Sequence, residues 1–113
     1  MDIEKTNEEI LATEYSERFD EIRKKMMIAS YYKYGPVYDN YKKYACINAV
    51  ENIVLRLDKY LETGNTEFLA DIANFAMIEY MHPSVKGAKY SPTDSGACEL
   101  AGFSVNEIRD FSK

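Results

Sequence analysis

Apolar positions recur along this chain at helical spacing and almost never alternate, so the pattern predicts helices and no sheet. Thr6 and Glu9 have the Ser/Thr-x-x-Glu form of a capping box, which marks a helix start. From there Tyr15, Phe19, Ile22, Met26 and Ala29 follow one another at intervals of four, three, four and three, a single apolar stripe running toward Tyr34. Gly35-Pro36 ends it, because proline cannot continue the hydrogen-bond ladder. A first helix over about 6–34 is expected. A second, over about 38–62, carries Ile47, Val50, Val54, Leu57 and Leu61 at the three-four spacing of a bundle seam. Thr63-Gly64-Asn65 supplies a stop and, with Thr66, a fresh cap, so a third helix over about 66–82 should fold back on the second as a hairpin. Beyond His82-Pro83 the period is lost and residues 83–102 read as a long loop, closed by a short C-terminal helix from Ser104 to Phe111. The predicted fold class is all-α: one small helical bundle of three main helices, spanning 1–113.

The third helix is the most informative. Phe68, Leu69, Ile72, Phe75, Met77, Ile78, Tyr80 and Met81 cover its whole circumference, as in a helix that is central or lies between subunits, so a homo-oligomer is expected. On this apolar rod Glu67, Asp71 and Asn74 fall within about 60° of one another, a narrow polar strip. A carboxylate taken out of water without a partner costs several kcal/mol. Asp71 therefore faces Arg56 or a tyrosine hydroxyl of a neighbouring helix, or it lines a wet recess.

Charge alters the picture through its distribution. The 113 residues carry a formal net charge of -5, which disfavours duplex nucleic acid and anionic membranes as partners. Residues 1–22 hold eight acids and two bases, residues 23–61 eight bases and three acids, and residues 62–113 four bases and eight acids. The middle is a basic island, able to draw a small anion or to be neutralised by the acidic first helix. Seven of the ten tyrosines lie in it, Tyr34, Tyr38 and Tyr41 among them, beside Lys33, Lys42, Lys43 and Arg56. Rings can stack on a base, cations can hold its phosphate, and Asn48, Asn52 and Asn74 can read its edge. No apolar run is long enough to span a membrane and the acidic first residues do not resemble a signal peptide, so the chain reads as cytoplasmic. Cys46 and Cys98 are read as reduced thiols.

No glycine-rich phosphate loop, zinc spacing or nucleophile elbow is present in the sequence. His82, the only histidine, sits before a proline at a helix end, where it suits the helix dipole better than catalysis. Carboxylates alone offer a metal site: Glu67 and Asp71 share a face at i, i+4, and Glu51 on the antiparallel helix could join them around magnesium.

Helix order over about 40–82 resembles the MazG-like all-α nucleoside triphosphate pyrophosphohydrolases, whose hallmark is Glu-x-x-Glu on one helix and Glu-x-x-Asp on the next. That resemblance implies magnesium-dependent hydrolysis by Glu51, Glu67 and Asp71. Here Asn48-Ala49-Val50-Glu51 stands at the first pair and Glu67-Phe68-Leu69-Ala70-Asp71 is one residue longer than the second, so one charged ligand is replaced. A second resemblance rests on Lys33-Tyr34-Gly35, Lys59 to Glu67 and Asp71-Ile72-Ala73-Asn74-Phe75, which look like a group of small uncharacterised bacteriophage proteins. It implies a counter-defence role.

These readings give a leading expectation of a non-catalytic binder of a nucleotide or cyclic nucleotide, able to sequester a host defence signal and needing no cofactor. Lys33, Lys42 and Arg56 would neutralise phosphates, Tyr34 and Tyr38 would stack, Asp71 with Asn74 would hydrogen-bond a base or position a lysine, and Asn48 is available to read a base edge. The alternatives are the pyrophosphohydrolase and an inhibitor that docks its acidic first helix on a host protein.

Overall fold

The structure is a computed structural model, which describes residues 4–93. Among the described residues the fold is all-α. Its elements are α1 (Asn7–Glu14), α2 (Glu17–Tyr34), a single π-helical turn (Asp39–Lys43), α3 (Ala49–Thr63) and α4 (Glu67–Met81). The Thr6 hydroxyl accepts from the Glu9 N–H at 3.2 Å, so α1 begins where the capping box places it.

The expected first helix, 6–34, is two helices. Tyr15 is extended at φ -144°, and the Ser16 hydroxyl accepts from the Phe19 N–H at 3.1 Å, which caps a new helix. The Tyr15 hydroxyl donates to the Asp20 carboxylate across the break. The apolar stripe starts at Tyr15, at the break itself, so periodicity does not reveal the break while the serine marks it. α2 ends as expected at Gly35, with φ 85°.

The expected second helix, 38–62, begins late. Asn40 ties its first part into a π turn instead: its side-chain amide donates to the Tyr34 carbonyl at 3.0 Å, and its own carbonyl accepts from the Cys46 and Ile47 N–H groups at 3.0 and 3.2 Å. Ala45 adopts φ 49°, a left-handed conformation that a residue with a Cβ avoids. Asn48 then caps α3, its side-chain oxygen accepting from the Glu51 N–H at 3.0 Å.

α3 and α4 form the expected hairpin. Gly64 takes the left-handed position at φ 70° and donates to the Tyr60 carbonyl at 2.7 Å, while the Asn65 side chain accepts from the Glu67 N–H at 3.0 Å. α4 is the central element, packed on α3 and also on α2. Its buried side is small or compact: Ala70, Asn74 and Ile78, joined by Ala49 at the start of α3. The stripe Val50, Val54, Leu57 and Leu61, expected as an internal seam, is solvent-exposed, Leu61 at 73%. α3 has rolled so that Ala49, Asn52, Ile53, Arg56 and Tyr60 are its covered residues. This roll puts Arg56 beside Asp71.

After α4 the Glu79 carboxylate accepts from the Ser84 N–H at 2.6 Å and from its hydroxyl, fastening the chain as it leaves the helix. Residues 83–93 hold no helix or strand, as a loop should; the rest of the expected loop and the helix Ser104–Phe111 lie outside the described residues.

Candidate functional site

The π turn, α2, α3 and α4 surround a recess of about 550 Å³. That is within the range of roughly 300–1,000 Å³ typical of small-molecule sites. Buried Asn74 and Ile78, half-buried Arg56, Asp71, Phe75 and Tyr41, and exposed Lys33, Tyr34 and Glu67 are among the residues lining it.

Its chemistry is organised by Arg56. One guanidinium nitrogen, Nη1, donates to the Asn52 side-chain oxygen at 2.7 Å, and Asn52 in turn donates to the Asn48 carbonyl at 2.7 Å. The guanidinium also sits 4.7 Å from the centre of the Phe75 ring, a cation–π contact. Asp71 approaches Arg56 Nε only to 3.7 Å, beyond hydrogen-bond range, and both side chains keep about a quarter of their surface, 27% and 26%. Arg56 Nε itself is buried with no acceptor. The ion pair is therefore loose. Burial pushes the Asp71 carboxyl above its ordinary value, the Arg56 charge pulls it back, and Glu67 adds to the rise. Burial likewise raises the Tyr41 phenol, opposed by Arg56 and assisted by Cys46, so Tyr41 keeps its proton at neutral pH and can donate.

Asn74 is the second anomaly. It is 6% exposed, and its amide nitrogen donates to the Arg23 carbonyl of α2 at 3.2 Å. That bond fixes the orientation of the amide, because a flip would set two oxygens against each other. The side-chain oxygen is then left buried with no donor. Such a group costs about 1–3 kcal/mol of stability.

Of the residues singled out in the sequence, Lys33, Tyr34, Arg56, Asp71 and Asn74 line the recess together, and three do not. Tyr38 packs its ring edge against His82 at 5.7 Å. Lys42 is exposed on the π turn, and Asn48 is occupied as the cap of α3. For the alternative metal set, Glu67 and Asp71 share the recess but Glu51 is outside it. No group of three metal-ligating side chains comes together among the described residues. Tyr41 takes the aromatic place expected of Tyr38, tilted against Phe75 with ring centres 6.4 Å apart. The π turn, invisible to periodicity, carries it there. Asn52 could have been ranked above Asn48 from sequence, since Asn52 and Arg56 stand at i, i+4 and reach each other only on one helix face.

Fold and site together define a small all-α chain with a polar-walled recess beside its central helix. Compared with protein-family models, curated proteins and solved structures, the chain matches none. No helix among the described residues is long and apolar enough to cross a membrane.

Proposed function

We propose that this chain is a non-catalytic binding module that takes a phosphate-bearing ligand of nucleotide size into the recess. The observation that carries the reading is the under-used guanidinium of Arg56, held at the wall of a ligand-sized cavity with only one of its nitrogens hydrogen-bonded among the described residues. Lys33 adds a second cation at the rim, and Tyr34 and Tyr41 add ring faces for stacking, worth roughly 1–3 kcal/mol per base. Glu67 and Asp71 balance the two cations, so the recess suits a ligand with an anionic end and a hydrogen-donating end and repels a simple polyanion. In the setting that the phage-protein resemblance implies, holding such a ligand would withdraw a host signal from its receptor.

Self-association belongs to the same proposal. Val50, Val54, Leu57 and Leu61 form two heptads' worth of uncovered stripe on α3, which a second copy would bury. A host-protein partner has one observation in its favour: α1 exposes Ile10 and Leu11 among the acids Glu8, Glu9 and Glu14.

The test is a thermal-shift panel of nucleoside mono-, di- and cyclic phosphates, with magnesium and triphosphates as a separate arm for hydrolysis. A ligand at 100 times its dissociation constant adds about 2.7 kcal/mol of stability, a shift of several degrees. No shift from any nucleotide overturns the binding reading; release of pyrophosphate overturns its non-catalytic part.

A further inference from the structure

Resting on the proposed nucleotide reading, we propose that the recess selects guanine among the four common bases. α4 places Asp71 and Asn74 one turn apart, and both line the recess. No described residue donates a hydrogen bond to the Asp71 carboxylate, whose nearest partner is Arg56 Nε at 3.7 Å. Asn74 commits one of its two amide hydrogens to the Arg23 carbonyl, and its oxygen is buried without a donor. Glu67, four residues before Asp71 on the same helix, also lines the recess. The α4 side of the recess therefore presents the carboxylate acceptors of Asp71 and Glu67, and it suits a ligand edge made of donors.

Guanine has that edge. Its ring N–H and exocyclic amino group are adjacent donors, the pairing a carboxylate accepts with both oxygens. Adenine and cytosine put a bare ring nitrogen beside their amino group, and uracil or thymine puts carbonyls on both sides of its N–H. Each would press an acceptor lone pair against the carboxylate. The carbonyl next to the guanine ring N–H requires a donor beside Asp71, and the Arg56 guanidinium stands there. In this pose Arg56 serves the base carbonyl instead of the phosphate, and Lys33 at the rim faces the phosphate. A purely cationic ligand, such as an arginine side chain, would satisfy Asp71 but meet Arg56 and Lys33.

The experiment is calorimetric titration of the full chain with the monophosphates of guanosine, adenosine, cytidine and uridine, and of inosine and xanthosine, repeated on Asp71→Asn with folding checked by circular dichroism. Guanosine monophosphate is expected to bind tightest. Inosine monophosphate, which lacks only the exocyclic amino group, should bind about tenfold or more weakly, the effect of one lost base-edge pairing. Adenosine monophosphate should bind more weakly still. Asn at position 71 presents an amide donor, so the variant should prefer the xanthosine nucleotide, which has a carbonyl where guanine has its amino group. Equal affinity for all four bases, or an adenine preference, overturns the guanine assignment and leaves nucleotide binding standing. Binding of none of them overturns both. The wild-type series decides the matter by itself if Asp71→Asn fails to fold, and a folded variant that still prefers guanosine monophosphate also overturns the assignment.

Discussion

Arg56 distinguishes a residue kept for the fold from one kept for a ligand, and replacing it with methionine separates the two. Methionine retains a flexible stem over the Phe75 ring and removes the charge. The guanidinium's bond to Asn52 at 2.7 Å has a charged donor, worth about 1.5–3 kcal/mol, with the lower end appropriate to a half-buried site. The contact to Asp71 at 3.7 Å between quarter-exposed groups is worth about 0–1 kcal/mol after solvent screening. The cation–π contact at 4.7 Å contributes about 0.5–1 kcal/mol, much of which a sulfur–aromatic contact replaces. Against these losses stands the relief of burying Arg56 Nε without an acceptor, about 1–3 kcal/mol. The opposing contributions are of equal size.

Arg56→Met is therefore expected to change stability by no more than about 1 kcal/mol. In urea, with a slope near 1–2 kcal/mol per molar for a domain of this size, the midpoint should move by less than about 1 M at unchanged slope. The same variant should lose the nucleotide-induced thermal shift. A midpoint lowered by the equivalent of 3 kcal/mol or more would show that Arg56 is a structural keystone and refute the reasoning, as would an undiminished nucleotide shift.

Three further outcomes follow from particular contacts. Asn48→Ala removes the cap of α3 and should cost about 1 kcal/mol, read as a lower urea midpoint, with nucleotide affinity unchanged because Asn48 does not line the recess. The folded chain holds the Asp71 proton more tightly than the unfolded chain does, so this group's stabilising effect is full below the ordinary carboxylate range and is lost as pH rises through its raised value. Asp71→Asn should then gain on the wild type as pH climbs from about 3 to 7 in parallel urea titrations, and a difference independent of pH would contradict the effect of burial on Asp71. Leu57→Lys places a charge in the uncovered α3 stripe; sedimentation should show an oligomeric wild type and a monomeric variant, whereas a monomeric wild type refutes the second-copy proposal.

Local signals survived into the structure better than periodic ones did. Thr6, Gly35, Gly64 and Asn65 act where the sequence places them, because a cap or a left-handed glycine depends only on its immediate neighbours. The stripe from Tyr15 to Ala29 does not show the break, because it starts at the extended pair Tyr15 and Ser16 and has no position in α1. The α3 stripe misled in another way. Spacing shows that Val50, Val54, Leu57 and Leu61 share a face, but the covered face of α3 is the one that carries Asn52 and Arg56. As for the site, the polar strip on α4 was legible because a charge on an apolar helix must be answered. Tyr41 was not, because its position depends on a π turn held by three bonds to Asn40 that no repeat announces.

Two of these misfits adjoin the recess. A chain optimised only for folding would bury the α3 stripe, answer the Asn74 oxygen and keep Ala45 out of a left-handed conformation. This one leaves all three uncorrected, and Asn74 lines the recess while Ala45 follows the π turn that carries Asn40 and Tyr41 into it. Strain and unanswered polar groups concentrate where a surrounding structure holds them for use. On the proposed reading, a ligand seated in the recess touches the π turn through Tyr41 and the α3 wall through Arg56. Binding should consequently stiffen the π turn and the Asn52–Arg56 pair together, and hydrogen exchange at the Cys46 and Ile47 amides, both bonded to the Asn40 carbonyl, should slow on nucleotide addition in step with the thermal shift.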